Sequence, residues 1–130
     1  MKKLLPLLLA AVLMAGPLSL SAAHHKGDKK MKTAPDTLIH VVTVSWKDGT
    51  TEEQIQAALD GVHTLAKEFD GITRVWTKTY KAQGERSHAF VMEFKSVEAL
   101  KEYAESDAQQ KWYEVYIPIR HRSTTFDIIN

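Results

Sequence analysis

A strand that is apolar on both faces cannot lie open to water, and residues 38–46, Leu-Ile-His-Val-Val-Thr-Val-Ser-Trp, read as such a strand. At period two, Leu38, His40, Val42, Val44 and Trp46 share one face, and Ile39, Val41, Thr43 and Ser45 share the other. Each face carries β-branched or large apolar side chains, so each needs cover. Asp48-Gly49 predicts a tight turn, and Thr50 with Glu53 three residues later predicts a capping box. Ile55, Leu59, Val62, Ala66 and Phe69 then recur at helical spacing, predicting an amphipathic helix over 52–68 that Asp70-Gly71 stops.

The remaining segments repeat the alternation. Residues 72–80 predict a strand, 81–85 a loop containing Gly84, and 88–94 a third strand with His88, Phe90, Met92 and Phe94 on one face. Ser96 opens a second helix carrying Val97, Leu100, Tyr103 and Ala104, and Asp107 caps a further short helix that Pro118 ends. Residues 123–129 predict the last strand. Strand, helix, strand, strand, helix, strand is the split β-α-β, ferredoxin-like plan of an α+β domain, with helices on one sheet face only. The opposite face, assigned Val41, Val75 and Val91, then needs a second sheet, and a two-fold homodimer joined through the sheets supplies one.

The first residues read as a signal peptide over 1–23: Lys2 and Lys3, a mostly apolar stretch from Leu4 to Leu20, then Ser21-Ala22-Ala23. Cleavage is expected after Ala23 or, alternatively, Ala22. An uncleaved membrane anchor is the competing reading, against which Pro6, Gly16 and Pro17 interrupt the apolar run. Residues 24–36 are lysine-rich, without apolar periodicity, and read as a flexible basic tail; the domain is placed at 37–130. An exported protein, periplasmic or secreted, without a stable membrane anchor, is expected.

Composition removes several function classes. Of 17 basic and 16 acidic residues, two lysines lie in the signal. The remainder is close to neutral, which argues against nucleic-acid binding through a basic face. The absence of cysteine excludes disulfides, thiolate chemistry and sulfur-ligated metal. No nucleophile elbow or phosphate-binding glycine loop is present. His40, His63, His88 and His121 lack metal-ligand spacing, so no metal and no cofactor are expected. One exception depends on the cut after Ala22, which would place His25 third behind a free amine, an arrangement that wraps copper or nickel.

The order of these marks resembles the stress-responsive A/B barrel (Dabb) family of dimeric α+β barrels. The resemblance rests on His40 in the first strand, the Lys47 to Gln54 turn, Ser87-His88-Ala89 leading into Val91 to Phe94, the Ser96 to Tyr103 helix, and Phe126-Asp127 near the end. It implies a stress-related, small-molecule-binding homodimer with a pocket between sheet and helices. That pocket would be lined by His40, Val42, Phe90, Met92, Tyr103, Gln109, Trp112 and Asp127, and would take a small apolar or aromatic ligand. His40, His88 and Tyr103 are the catalytic candidates should the chain be a cofactor-independent enzyme. Each can equally be a core side chain with its polar atoms satisfied. Plant polyketide cyclases of this kind are implied to use a histidine base, a tyrosine on the reacting carbonyl and an aspartate orienting the base. Here Tyr103 and Asp127 fall on the latter two, but Gln109 stands at the base, and an amide cannot take a proton near neutral pH. Monooxygenases of similar fold are implied to need an asparagine in the pocket, whereas the one asparagine here is Asn130, at the end of the sequence.

Overall fold

The computed structural model describes residues 35–130, so the segment read as a signal peptide and most of the expected basic tail lie outside the described residues. The elements are β1 (Leu38–Trp46), α1 (Glu52–Glu68), β2 (Ile72–Trp76), β3 (His88–Phe94), α2 (Val97–Tyr103), α3 (Asp107–Tyr116) and β4 (Arg120–Ile129). The four strands form one antiparallel sheet in the order β2-β3-β1-β4, the ferredoxin-like arrangement. Among the described residues no helix is long and apolar enough to cross a membrane.

The cap of α1 falls one residue later than expected. Gly49 takes φ +82°, which a glycine adopts without steric cost, and Thr50 turns back to hydrogen-bond the Lys47 carbonyl. Thr51 is therefore the N-cap: its hydroxyl accepts from the Gln54 N–H, and the Gln54 side chain accepts from the Thr51 N–H. At α3 the cap is Ser106 rather than Asp107, whose carboxylate instead sits in the first turn, where the helix dipole favours negative charge. β2 stops at Trp76, four residues short of the expected end, and β4 starts at Arg120 instead of Ser123.

One sheet face is the core. Val42 and Val44 of β1 and Phe90, Met92 and Phe94 of β3 meet Ile55, Ala58, Leu59, Val62 and Leu65 of α1, all buried. Trp112 locks α3 to α1, its indole N–H donating to the Ala58 carbonyl at 2.9 Å. The helices cross closely enough there that a Cβ on Gly61 would stand 2.6 Å from the Trp112 ring.

The other face is open. Paired residues of an antiparallel ladder share a face, and Val41 pairs with both Val91 and Phe126, Ile39 with Ile128, and Trp76 with Val91. Trp76, Phe126 and Ile128 are about half exposed. Val75, expected on this face, pairs with Met92 and packs against the core instead; the register shift between Ile72 and Arg74 puts Trp76 outward in its place. Amid this apolar face lies Glu93, 1% exposed. It accepts from Thr37 at 2.8 Å, from Thr73 at 3.0 Å and, as a bidentate pair, from Nε and Nη2 of Arg74. The Arg74 bonds lead in holding its carboxyl down to about 2, against the opposing effect of burial.

Candidate functional site

The inner side of β4 differs from those of its neighbours. Where β1 and β3 turn valine, phenylalanine and methionine toward the helices, β4 presents Ser123, Thr125 and Asp127, opposite Val44, Val42 and His40 respectively. A narrow cavity of about 100 Å³ runs between this polar strip and the helices. Val42, Phe90, Met92 and Trp112 form its apolar wall; His40, Tyr103, Gln109, Tyr116, Arg120, Ser123 and Thr125 contribute its polar groups, and Tyr113 completes the lining.

His40 and Asp127 are cross-strand partners, and their side chains meet at 2.6 Å from Nδ1 to Oδ1. A carboxylate only accepts, so Nδ1 carries a proton, and in the neutral imidazole Nε2 keeps its lone pair. The imidazole is fixed further by edge contacts with Phe94 and Tyr103, at ring separations of 5.9 and 6.4 Å. Asp127 does not itself line the cavity; its role is to orient His40, not a residue on α3.

Gln109 is spoken for. Its side-chain oxygen accepts from the Glu105 N–H at 2.7 Å, and Glu105 holds a left-handed φ of 69° at the sharp α2–α3 turn. Its amide is then the group that bonds the Tyr103 hydroxyl. Burial pushes that phenol well above its usual range, with the Gln109 bond pulling the other way. Gln109 therefore braces a turn and a tyrosine.

Seven of the eight residues assigned to the pocket from the sequence line this one cavity, and the eighth, Asp127, holds one of them. His88 does not join them. It shares the inner face but lies opposite Val44, four residues along from the position opposite His40. Its Nδ1 accepts from the Trp46 indole at 2.9 Å, beside a separate, more open hollow with Gln56, Thr77 and Thr79. Tyr113, Tyr116, Arg120, Ser123 and Thr125 were not anticipated; stepping back in twos from Asp127 would have found Thr125 and Ser123. Among the described residues no group of three His, Asp or Glu side chains could hold a metal.

The Stress responsive A/B Barrel Domain matches residues 38–130. The chain belongs to the stress-responsive A/B barrel (Dabb) family. A hypothetical Arabidopsis thaliana protein has a similar structure, with TM-score 0.64 and 21% identity, covering 77% of this chain and 93% of its own. A Passiflora edulis hydroxynitrile lyase gives TM-score 0.65 at 16% identity, covering 75% and 95%. A Bacteroides fragilis protein of unknown function, described as dimeric with a ferredoxin-like fold, gives 0.60 at 15%, covering 74% and 98%. No functionally curated protein matches. At these identities the neighbours establish the fold, and the Dabb domain here is described by its own geometry.

Proposed function

We propose that this Dabb protein is an exported, stress-related homodimer that binds a small, largely apolar ligand in the cavity between β4 and the helices. The observation that carries the reading is the two-sided cavity itself. Ser123 and Thr125 of β4, with His40 of β1 held by Asp127, give the cavity a polar side facing the apolar wall of Val42, Phe90, Met92 and Trp112, an arrangement suited to orienting a small ligand. The half-exposed apolar residues of the open sheet face support pairing with a second copy, as does the dimeric description of the Bacteroides neighbour. The apolar leader supports export, and the family's description supports the link to stress.

Native mass spectrometry of the mature protein, gently purified from its exported compartment, tests these parts together. The expected species is a dimer lacking the leader and carrying a releasable small molecule, with the molecule lost in His40→Ala. A monomer overturns the sheet pairing, an intact leader overturns processing, and a dimer that raises its Tm with no member of a broad ligand screen overturns the binding role.

A second reading, cofactor-independent acid–base catalysis, is favoured by the 2.6 Å His40–Asp127 pair, which leaves a basic nitrogen on a cavity-lining ring. The lyase of similar fold is consistent with it. Turnover of a ligand recovered from the protein, abolished in His40→Ala while the dimer survives, would select this reading over simple binding.

A further inference from the structure

The cavity runs away from His40 toward Arg120, and that region carries an unfinished set of polar groups. Tyr116 is 3% exposed, and its hydroxyl oxygen is buried with no hydrogen-bond partner. Ser123 and the Arg120 guanidinium are the polar neighbours that pull its pKa down by hydrogen bonding and charge, though neither closes a hydrogen bond of good geometry with it, and both line the cavity. Burial is nonetheless the dominant influence and pushes the phenol up. A buried hydroxyl left unpaired is destabilising, and such groups in native proteins ordinarily find a partner.

Arg120 is the second element. Its guanidinium lies 5.6 Å from the centre of the Tyr116 ring and donates to Ser123 across a long 3.4 Å. Among the described residues no carboxylate lies within ion-pair distance of it. Asp127 is committed to His40 and stands seven residues along the same strand, so at about 3.3 Å per residue its backbone is roughly 23 Å from that of Arg120. This region thus offers a planar, five-donor cation beside two hydroxyls, and beyond them the wall of Val42, Phe90 and Trp112 is apolar.

We propose that this region is an anion subsite and that the ligand class is a small organic carboxylate. Arg120 would take the carboxylate, the Tyr116 and Ser123 hydroxyls would donate to it, and the tail would lie against Val42 and Phe90. A guanidinium fork matches a carboxylate in geometry as well as charge. The space limits the tail. A cavity of about 150 Å³ suffices for the six heavy atoms of benzene, so one of about 100 Å³ encloses about four, a carboxylate and its first carbons, and a tail as long as that of butyrate reaches the cavity mouth. The inference rests on the cavity being a ligand site, as proposed above.

The test titrates the ¹⁵N-labelled full-length protein with butyrate, with its neutral isostere butyramide and with butylamine, following the amide resonances of 116–125. Butyrate is expected to move those resonances and to bind at least tenfold tighter than butyramide, with butylamine not binding. Arg120→Met is expected to weaken butyrate about tenfold or more while leaving butyramide unchanged. Where Arg120→Met fails to fold, Tyr116→Phe removes a single oxygen and carries the same comparison with a smaller loss. Equal affinity for butyrate and butyramide would overturn the carboxylate assignment and leave the ligand-site reading standing. Butyrate perturbing only surface lysines would overturn the subsite. Failure of all three probes to move any cavity resonance would count against both.

Discussion

The two faces of the sheet hold similar residues in opposite circumstances. On the helix side Phe90 is 1% exposed and meets Trp112 and Tyr116 edge-on. On the far side Phe126, of the same chemistry and on the edge strand β4, is 58% exposed. The helix side is apolar at its centre and polar at its margin, where β4 lines the cavity. The far side is the reverse: an apolar field around one buried carboxylate, Glu93. Carboxylates thus do two different jobs here. His40–Asp127, at the edge of the core, leaves a nitrogen available for chemistry, whereas Glu93 has its acceptor positions filled by Thr37, Thr73 and Arg74 and serves to hold strands together.

The most severe way to test that contrast is to truncate both phenylalanines. Phe90→Ala should cost about 3–5 kcal/mol in chemical denaturation. Phe126→Ala should cost the folded monomer under about 1 kcal/mol but shift the assembly toward monomers in sedimentation velocity. Equal destabilisation by both changes would show that the faces are not distinct in kind.

A smaller effect is expected at Glu93. Its carboxyl is held below its ordinary value, down to about 2, so its contribution is complete above the normal carboxylate range and disappears as pH falls from about 5 toward 2. Glu93→Gln should lower stability by about 1–3 kcal/mol at neutral pH and flatten the acid limb of the Tm–pH curve. An unchanged acid limb would remove Glu93 from its role in tying β2, β3 and the start of β1.

The smallest change in stability should come from Asp127→Ala. Its side chain is 45% exposed, so the loss should stay within about 1 kcal/mol. Its signature is instead spectroscopic: ¹⁵N NMR of the imidazole should show the His40 proton leaving Nδ1 for Nε2. A tautomer balance indifferent to Asp127 would detach the carboxylate from any functional role.

Much of the fold was legible because period-two and helical patterns act locally. β1, β3 and α1 fall where their apolar spacing puts them, since alternation of side chains and one hydrophobic stripe settle those segments without reference to partners. The errors occur where non-local pairing decides. A register shift against β3 turns Val75 inward, and the Thr50–Lys47 contact passes the cap to Thr51. The cavity was half legible. Residues marked by family resemblance converge on it, but Arg120 and Tyr116 belong to the turn from α3 into β4, where no periodicity announces a site. The structural use of Gln109 was likewise hidden, because a left-handed turn at Glu105 is not written in that residue's type.

One feature of β4 bears on how such a protein can change over generations. Its odd-numbered positions Ser123, Thr125 and Asp127 lie on the helix side of the sheet, while its even-numbered positions Thr124, Phe126 and Ile128 lie on the open side. Cavity-side and open-face positions are thus interleaved along the same ten residues. A single inserted or deleted residue ahead of Ser123 would exchange the two sets at once, turning phenylalanine into the cavity and aspartate onto the outer surface. Lineages can therefore retune either surface by point substitution, but a frame-preserving codon gain or loss there would forfeit both together. Length variation among descendants should accordingly gather in the 77–87 connection and spare the three residues between α3 and Arg120.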